Sequence, residues 1–341
     1  MSSDRADRIA VLRALPGLGD LLCAVPALRS VRAAHPAAHV TLLGLPSASW
    51  FVQRYPWLVD ELLVVEGVGG FPEVVPDPPR ALDFLRRAQE RRFDLALQLH
   101  GSGTTSNPLL TLLGAGHQVS AHRPGEWVPP GTSIAYPDDR PEIARLLAVT
   151  TAAGCPPRGE EIDLPVRAEE SAVARALLDE AGLAPGAFAC VHPGASRPER
   201  RWPPARFAAA ADHLAGRGVA VVMTGAVGER PLVHEVMGRM ASQGCEIVDL
   251  SGRTSIGVLG ALYQDARVVL TNDTGASHVA AAVRAPSVVV FGSAEPDRWA
   301  PLDAVRHRRV AGTPPPAWPP VGAVTAAVDL QLPPDHGGAA G

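Results

Sequence analysis

Asp273, Thr274 and Gly275 stand in a row in the stretch LTNDTGASHVAAAV, residues 270–283, and His278 follows three positions later. ARVVL before them has the apolar, β-branched character of a buried strand, and ASHVAAAV after them has that of a helix. A strand-to-helix turn of this kind leaves backbone N–H groups open at the helix start. The helix dipole adds about half a unit of positive charge there. The chemistry this suits is anion binding, above all a phosphate. Gly275 lets a ligand approach the backbone, Thr274 can donate from its hydroxyl, and His278 lies about one turn in, within reach of a diphosphate. Asp and Thr are also good N-cap residues, which accounts for the turn without a ligand but leaves the histidine unexplained.

VHPGASRPERRWPPARF, residues 191–207, sets Gly194 at a strand end and follows it with Arg197, Arg200 and Arg201. Arginines make charge-assisted, often bidentate bonds to phosphate oxygens. A solvated basic loop is the competing explanation. RALPGLGDLL, residues 13–22, is the first strand-to-helix turn: Gly17 and Gly19 permit close approach, and Asp20 offers a carboxylate for proton transfer or a plain helix cap. A dinucleotide fingerprint would place a third glycine where Leu22 stands and an acid after HVTLLGLPSA, and neither is present. Glu229, after the second strand of the second half, suits a pair of ribose hydroxyls or an exposed helix start. His100 ends a first-half strand, where it can face an acceptor or sit buried and hydrogen-bonded.

Other chemistries are excluded. All 31 basic residues counted as Lys+Arg are arginines, so a Walker A loop and a pyridoxal Schiff base both lack their lysine. There is no GxSxG elbow and no His, Cys, Asp and Glu spacing typical of a metal site; neither metal nor cofactor is expected. Cys23, Cys155, Cys190 and Cys245 form no CxxC pair and suit a reduced compartment. The formal charge of −4 argues against a broad nucleic-acid surface, which needs concentrated cations. Arg13, Pro16, Asp20 and Pro26 interrupt the apolar amino terminus, and no segment reaches about 20 uninterrupted apolar residues. A cytoplasmic protein with at most peripheral membrane contact is expected.

These residues need elements that bring them to one edge. Strand and helix signals alternate from RIAVLRAL through DLALQLHG and restart at AFACVHPG, so each half reads as a doubly wound α/β domain. One continuous helix is expected over 20–35. Residues 1–160 form the first expected domain and 161–332 the second, with CPPRGEEIDLPV as linker and 333–341 as a frayed tail. In open α/β sheets ligands bind beyond the carboxyl ends of strands, so the site is expected in a cleft between the domains.

Together, LRALPGLGDLLCAVPALRSVRAAHP, NDTGASHVAAAV and FGSAEPDRWAP resemble the heptosyltransferases, glycosyltransferase family 9, which have the GT-B fold, extend lipopolysaccharide cores and include relatives acting on other acceptors. The resemblance implies an inverting, metal-independent transfer from a nucleotide-diphosphate sugar, ADP-heptose in the family, to a glycan, glycolipid or small-molecule hydroxyl. It implies Asp20 as general base and Asp273, Thr274, Gly275 and His278 as the donor loop. Glu229 falls on a ribose-binding position, Arg201 where the family often has a diphosphate-binding lysine, and Gly19 and His100 on the acceptor side. A sugar-nucleotide epimerase or hydrolase of the same fold, or a non-catalytic sugar-nucleotide-binding protein, is the alternative.

Overall fold

The protein is seen here in a computed structural model that describes residues 6–71, 73–241, 246–292, 295–313 and 317–332. Cys245 and the tail 333–341 lie outside these. The chain divides into two compact units, Met1–Ile162 and Asp163–Gly341.

The first unit is built on β1 (Arg8–Leu12), β2 (His39–Gly44), β3 (Glu61–Val64), β4 (Leu95–Gln98), β5 (His117–His122) and β6 (Thr132–Ala135). The second is built on β7 (Phe188–His192), β8 (Ala220–Met223), β9 (Ile247–Asp249), β10 (Val269–Asn272), β11 (Ser287–Phe291) and β12 (His307–Ala311). Their orders are β3-β2-β1-β4-β5-β6 and β12-β11-β10-β7-β8-β9. Counted from its own first strand, each sheet therefore runs 3-2-1-4-5-6, the doubly wound order in which the winding reverses between the first and fourth strands. Every pairing among the described residues is parallel.

Parallel sheets are covered by helices on both faces, which is why their central strands are apolar without alternation. Ile9–Leu12 of β1 and all of β7, β10 and β11 are buried. Leu12, Leu43, Leu63, Phe84, Ala96 and Leu110 belong to the first core. Val191, Trp202, Phe207, Val221, Leu270 and Val290 belong to the second.

The expected helix over 20–35 is two helices, Leu18–Leu22 and Val25–Ala34. Pro26 breaks it, because a proline has no N–H for the carbonyl four residues back, here that of Leu22, and its ring crowds that carbonyl. Among the described residues no helix is long and apolar enough to cross a membrane. No group of three or more His, Cys, Asp or Glu side chains gathers there as a metal site.

Candidate functional site

In the first unit the turns after β1 and β4 lie side by side, because those strands pair from Ile9↔Leu95 to Leu12↔Gln98. Arg13 follows β1 and is fully buried. Its Nε donates to the Asp20 carbonyl at 2.8 Å, its Nη1 to the Leu99 carbonyl at 2.5 Å, and both Nη atoms to Glu142 Oε1 at 3.1 Å. Glu142 opens the helix Glu142–Ala152 and is itself buried. Arg13 Nη2 also lies 3.7 Å from the Asp20 carboxylate, whose side chain keeps 21% exposure.

Asp20 is in the first turn of Leu18–Leu22, whose N-cap is Gly17, so the plain N-cap reading of Asp20 does not hold. Its carboxylate folds back over Gly17: a Cβ at that position would collide with Asp20 Oδ2. Gly19 is buried between them. His100 completes the group. Its Nδ1 accepts the Ala14 N–H at 3.2 Å, and its ring stands edge-on to Phe71 at 4.9 Å. Burial and the Arg13 charge push its pKa down to about 4, against the opposing pull of Glu142, so the imidazole is neutral at pH 7. Gln98 fixes the turn, donating to the His100 carbonyl at 2.6 Å and to the Ser106 hydroxyl at 2.6 Å.

In the second unit the turns after β7 and β10 adjoin in the same way. Asn272, the last residue of β10, accepts the Trp202 N–H at 2.9 Å and donates to the carbonyls of Pro193 and Gly194 at 2.8 and 3.3 Å. Trp202 is buried, and its indole donates to the Pro319 carbonyl at 3.0 Å. Asn272 thus stitches the loop after β7 to the strand carrying Asp273 and Thr274.

Gly194 lies beneath Glu229, whose carboxylate would be struck by any Cβ there. Glu229 Oε2 accepts the Ala226 N–H at 2.7 Å, and His192 Nε2 lies 3.6 Å from it. At 16% side-chain exposure Glu229 is no ordinary solvated helix start. His192 Nδ1 meets the Thr224 hydroxyl at 3.1 Å; burial pushes the His192 pKa down, while Glu229 pulls it up. Thr274 is the N-cap of Gly275–Ala282 and makes no side-chain cap bond. Asp273 is buried, and its N–H reaches the Val290 carbonyl at 3.1 Å. His278 is buried, with its ring 6.3 Å from Trp299. Arg201 donates through Nε and Nη2 to the Ala195 carbonyl at 2.9 and 2.8 Å, so two of its five donors are already engaged.

The family model of glycosyltransferase family 9 (heptosyltransferase) matches residues 82–312, more than half of the chain. The chain belongs to glycosyltransferase family 9. It is 33% identical over 112 residues to lipooligosaccharide heptosyltransferase 2 of Haemophilus influenzae, which covers 32% of this chain and only 32% of that protein's length. It is 24% identical over 294 residues to lipopolysaccharide heptosyltransferase 3 of Escherichia coli strain K12, covering 83% of this chain and 82% of the relative. The structure of the Escherichia coli ADP-heptose LPS heptosyltransferase II superposes with a TM-score of 0.73 at 20% identity, over 95% of this chain and 98% of that one. The fold is accordingly that of the family, two tandem doubly wound domains of GT-B type.

Within the first unit Asp20 and His100 gather beside Arg13, with buried Gly19 preceding Asp20 in the same helix. Within the second, Arg201 and Glu229 flank the loop that Asn272 ties to Asp273, Thr274, Gly275 and His278. Arg13, Glu142, Asn272 and His192 were not singled out from sequence as functional. Arg13 and Asn272 carried a signal, each being a polar residue at or just beyond the carboxyl end of a largely apolar strand. Glu142 carried none, since 129 residues separate it from Arg13.

Proposed function

We propose that the protein is an inverting glycosyltransferase that moves a sugar, heptose by family, from a nucleotide-diphosphate donor of the ADP-heptose type to a hydroxyl of a glycan, glycolipid or small-molecule acceptor. The observation that carries this reading is the Asp20 carboxylate: partly exposed, anchored over Gly17, and beside a buried guanidinium that favours its ionised form. A reachable carboxylate in the turn beyond a strand end suits a general base.

In the proposed reaction the acceptor oxygen forms a bond to the anomeric carbon as the bond from that carbon to the diphosphate oxygen breaks. The hydroxyl proton passes to Asp20, and the diphosphate leaves with the bonding pair. The second unit supplies what the donor needs. Glu229 offers carboxylate oxygens to ribose hydroxyls. The N–H groups opening Gly275–Ala282, the Thr274 hydroxyl, His278 and the remaining donors of Arg201 offset the charge developing on the leaving group. No metal enters these steps. We place the reaction in the cytoplasm, with at most peripheral membrane contact.

Asp20→Asn tests the assignment, because it keeps the side chain's size and removes its basicity. Turnover of ADP-heptose should fall by roughly 10²- to 10⁴-fold, while the rise in melting temperature on adding ADP stays as in wild type. Equal turnover in the two proteins would remove Asp20 as the base and place the base elsewhere, whereas no turnover in the wild type would point to a binding protein.

A further inference from the structure

Arg13 faces two carboxylates in unlike surroundings. Glu142 is 3% exposed and meets the guanidinium at 3.1 Å; Asp20 is 21% exposed and stands at 3.7 Å. A guanidinium is not deprotonated in proteins, so the positive charge is permanent. Titratable and charged groups in the same surroundings include His100, neutral and bonded through Nδ1 to Ala14 N–H, Tyr136 and Arg145. Arg145 stands one turn along the Glu142 helix and is directed to the Arg140 carbonyl at 2.7 Å and the Tyr136 hydroxyl at 3.0 Å. One buried guanidinium thus links the two carboxylates.

We propose that Glu142 is a positioning residue that sets the basicity of Asp20 by cancelling part of the Arg13 charge. Alone, Arg13 would hold the Asp20 turn in place but would also bind its carboxylate so favourably as an anion that it became a poor proton acceptor. A neighbouring cation commonly lowers a carboxylate's proton affinity by about one to three pH units. Glu142, hydrogen-bonded to the same guanidinium and shielded from water, offsets that pull. The turn thus keeps the five-donor anchor of an arginine without its full electrostatic effect on the base. Four donor bonds to three different chain segments place this arrangement at the junction of β1, β4 and the Glu142 helix.

This inference rests on the reading of Asp20 as base, and the test separates the two. The Asp20 carboxyl is followed by ¹³C NMR in aspartate-labelled protein and assigned by its loss in Asp20→Asn. In Glu142→Gln its titration should move down by about one pH unit. The acid limb of ADP release from ADP-heptose should move with it, and the plateau rate should drop several-fold with an unchanged KM for the donor.

In the double variant Arg13→Gln/Glu142→Gln both charges go together, and the titration should stay within about half a pH unit of wild type. An unmoved Asp20 titration in Glu142→Gln overturns the inference, as does a rise of about a full unit in the double variant. If the single variant does not fold, the wild-type titration decides: an Asp20 midpoint within about one pH unit of the ordinary aspartate value despite the guanidinium at 3.7 Å supports the offset, and one about two units or more below it overturns the inference. Wild-type turnover in Asp20→Asn would sink the functional reading only, because the NMR titration still judges the charge coupling.

Discussion

In the first unit the turns beyond the two central strands are joined by an arginine on the β1 side. In the second they are joined by an asparagine on the β10 side. The strand orders are the same, and in each unit the anchor links the turns beyond the first and fourth strands of its own sheet. The difference lies in charge. An arginine anchor brings a permanent cation that must be balanced inside the protein, and Glu142 and Asp20 balance it. That suits a site whose task is to take up a proton. The Asn272 amide is neutral and two-sided, fixing the loop without adding charge and leaving the N-terminus of the next helix as the local positive potential. That suits a site that receives an anion and must later release it.

The comparison breaks most severely at Gly194. Gly194→Val would put a branched side chain where the Glu229 carboxylate now lies. ADP affinity should fall by at least about 100-fold, a loss near 2.7 kcal/mol, as read by calorimetry, with β7 and its core intact. Wild-type affinity in the variant would mean that Glu229 is not part of the donor site.

A smaller effect sharpens the second half of the contrast. Asn272→Leu removes three hydrogen bonds at once and leaves the Trp202 N–H and the Pro193 carbonyl without this partner. The second unit should lose about 1–3 kcal/mol in denaturant unfolding followed by the fluorescence of the buried Trp202. An unchanged midpoint would reduce the amide stitch to an incidental contact.

The smallest effect is shared. His100 in the first unit and His307 in the second both have pKa values pushed down to about 4 from 6.5, chiefly by burial; His307 is bonded to the Ser287 hydroxyl at 2.8 Å. Above pH 6.5 each is neutral whether folded or unfolded. As pH falls from there toward 4 the unfolded chain takes up protons that the folded one refuses, so stability is lost through that window. Each histidine should cost about 1 kcal/mol between pH 7 and 5.5. Replacing either by glutamine should flatten that share of the pH–stability curve in its own unit and leave the other unit's share in place.

Where strands are mostly apolar, as in RIAVL, HVTLLG and SVVVF, their positions were legible from composition alone. β5, with the sequence HQVSAH, and β6, TSIA, were not, because their polar residues satisfy one another inside the fold. Gln118 donates to the Pro130 carbonyl at 2.6 Å, and the Ser133 hydroxyl meets His122 at 2.7 Å. β12, HRRVA, was hidden by its consecutive arginines, half-buried Arg308 and exposed Arg309, which an edge strand tolerates. The helix Ala168–Glu180 went unread because its polar residues outnumber the three it buries. At the site, glycines and acids at strand ends were legible because a turn after a strand has few other reasons to be so small and polar. What could not be read was pairing across the chain: nothing near Asp20 in sequence announces Glu142, and nothing in NDTG announces that Asn272 holds Trp202.

The all-parallel sheets also govern how the chain reaches this state. No neighbouring strands can be linked by a tight turn, so no local hairpin can nucleate either sheet. The central ladder of the first unit waits for segments as far apart as Arg13 and Leu99, 86 residues. Loop-closure entropy is lost before those contacts form, which makes for slow folding with apolar strands transiently exposed. During synthesis the first unit is complete while residues 163–341 are still to be made, an interval on the order of ten seconds or more at ribosomal speed. Sequential production therefore separates two sets of similar apolar strands in time, and refolding of the whole chain from denaturant, where both sets are present at once, should give a lower yield than synthesis does.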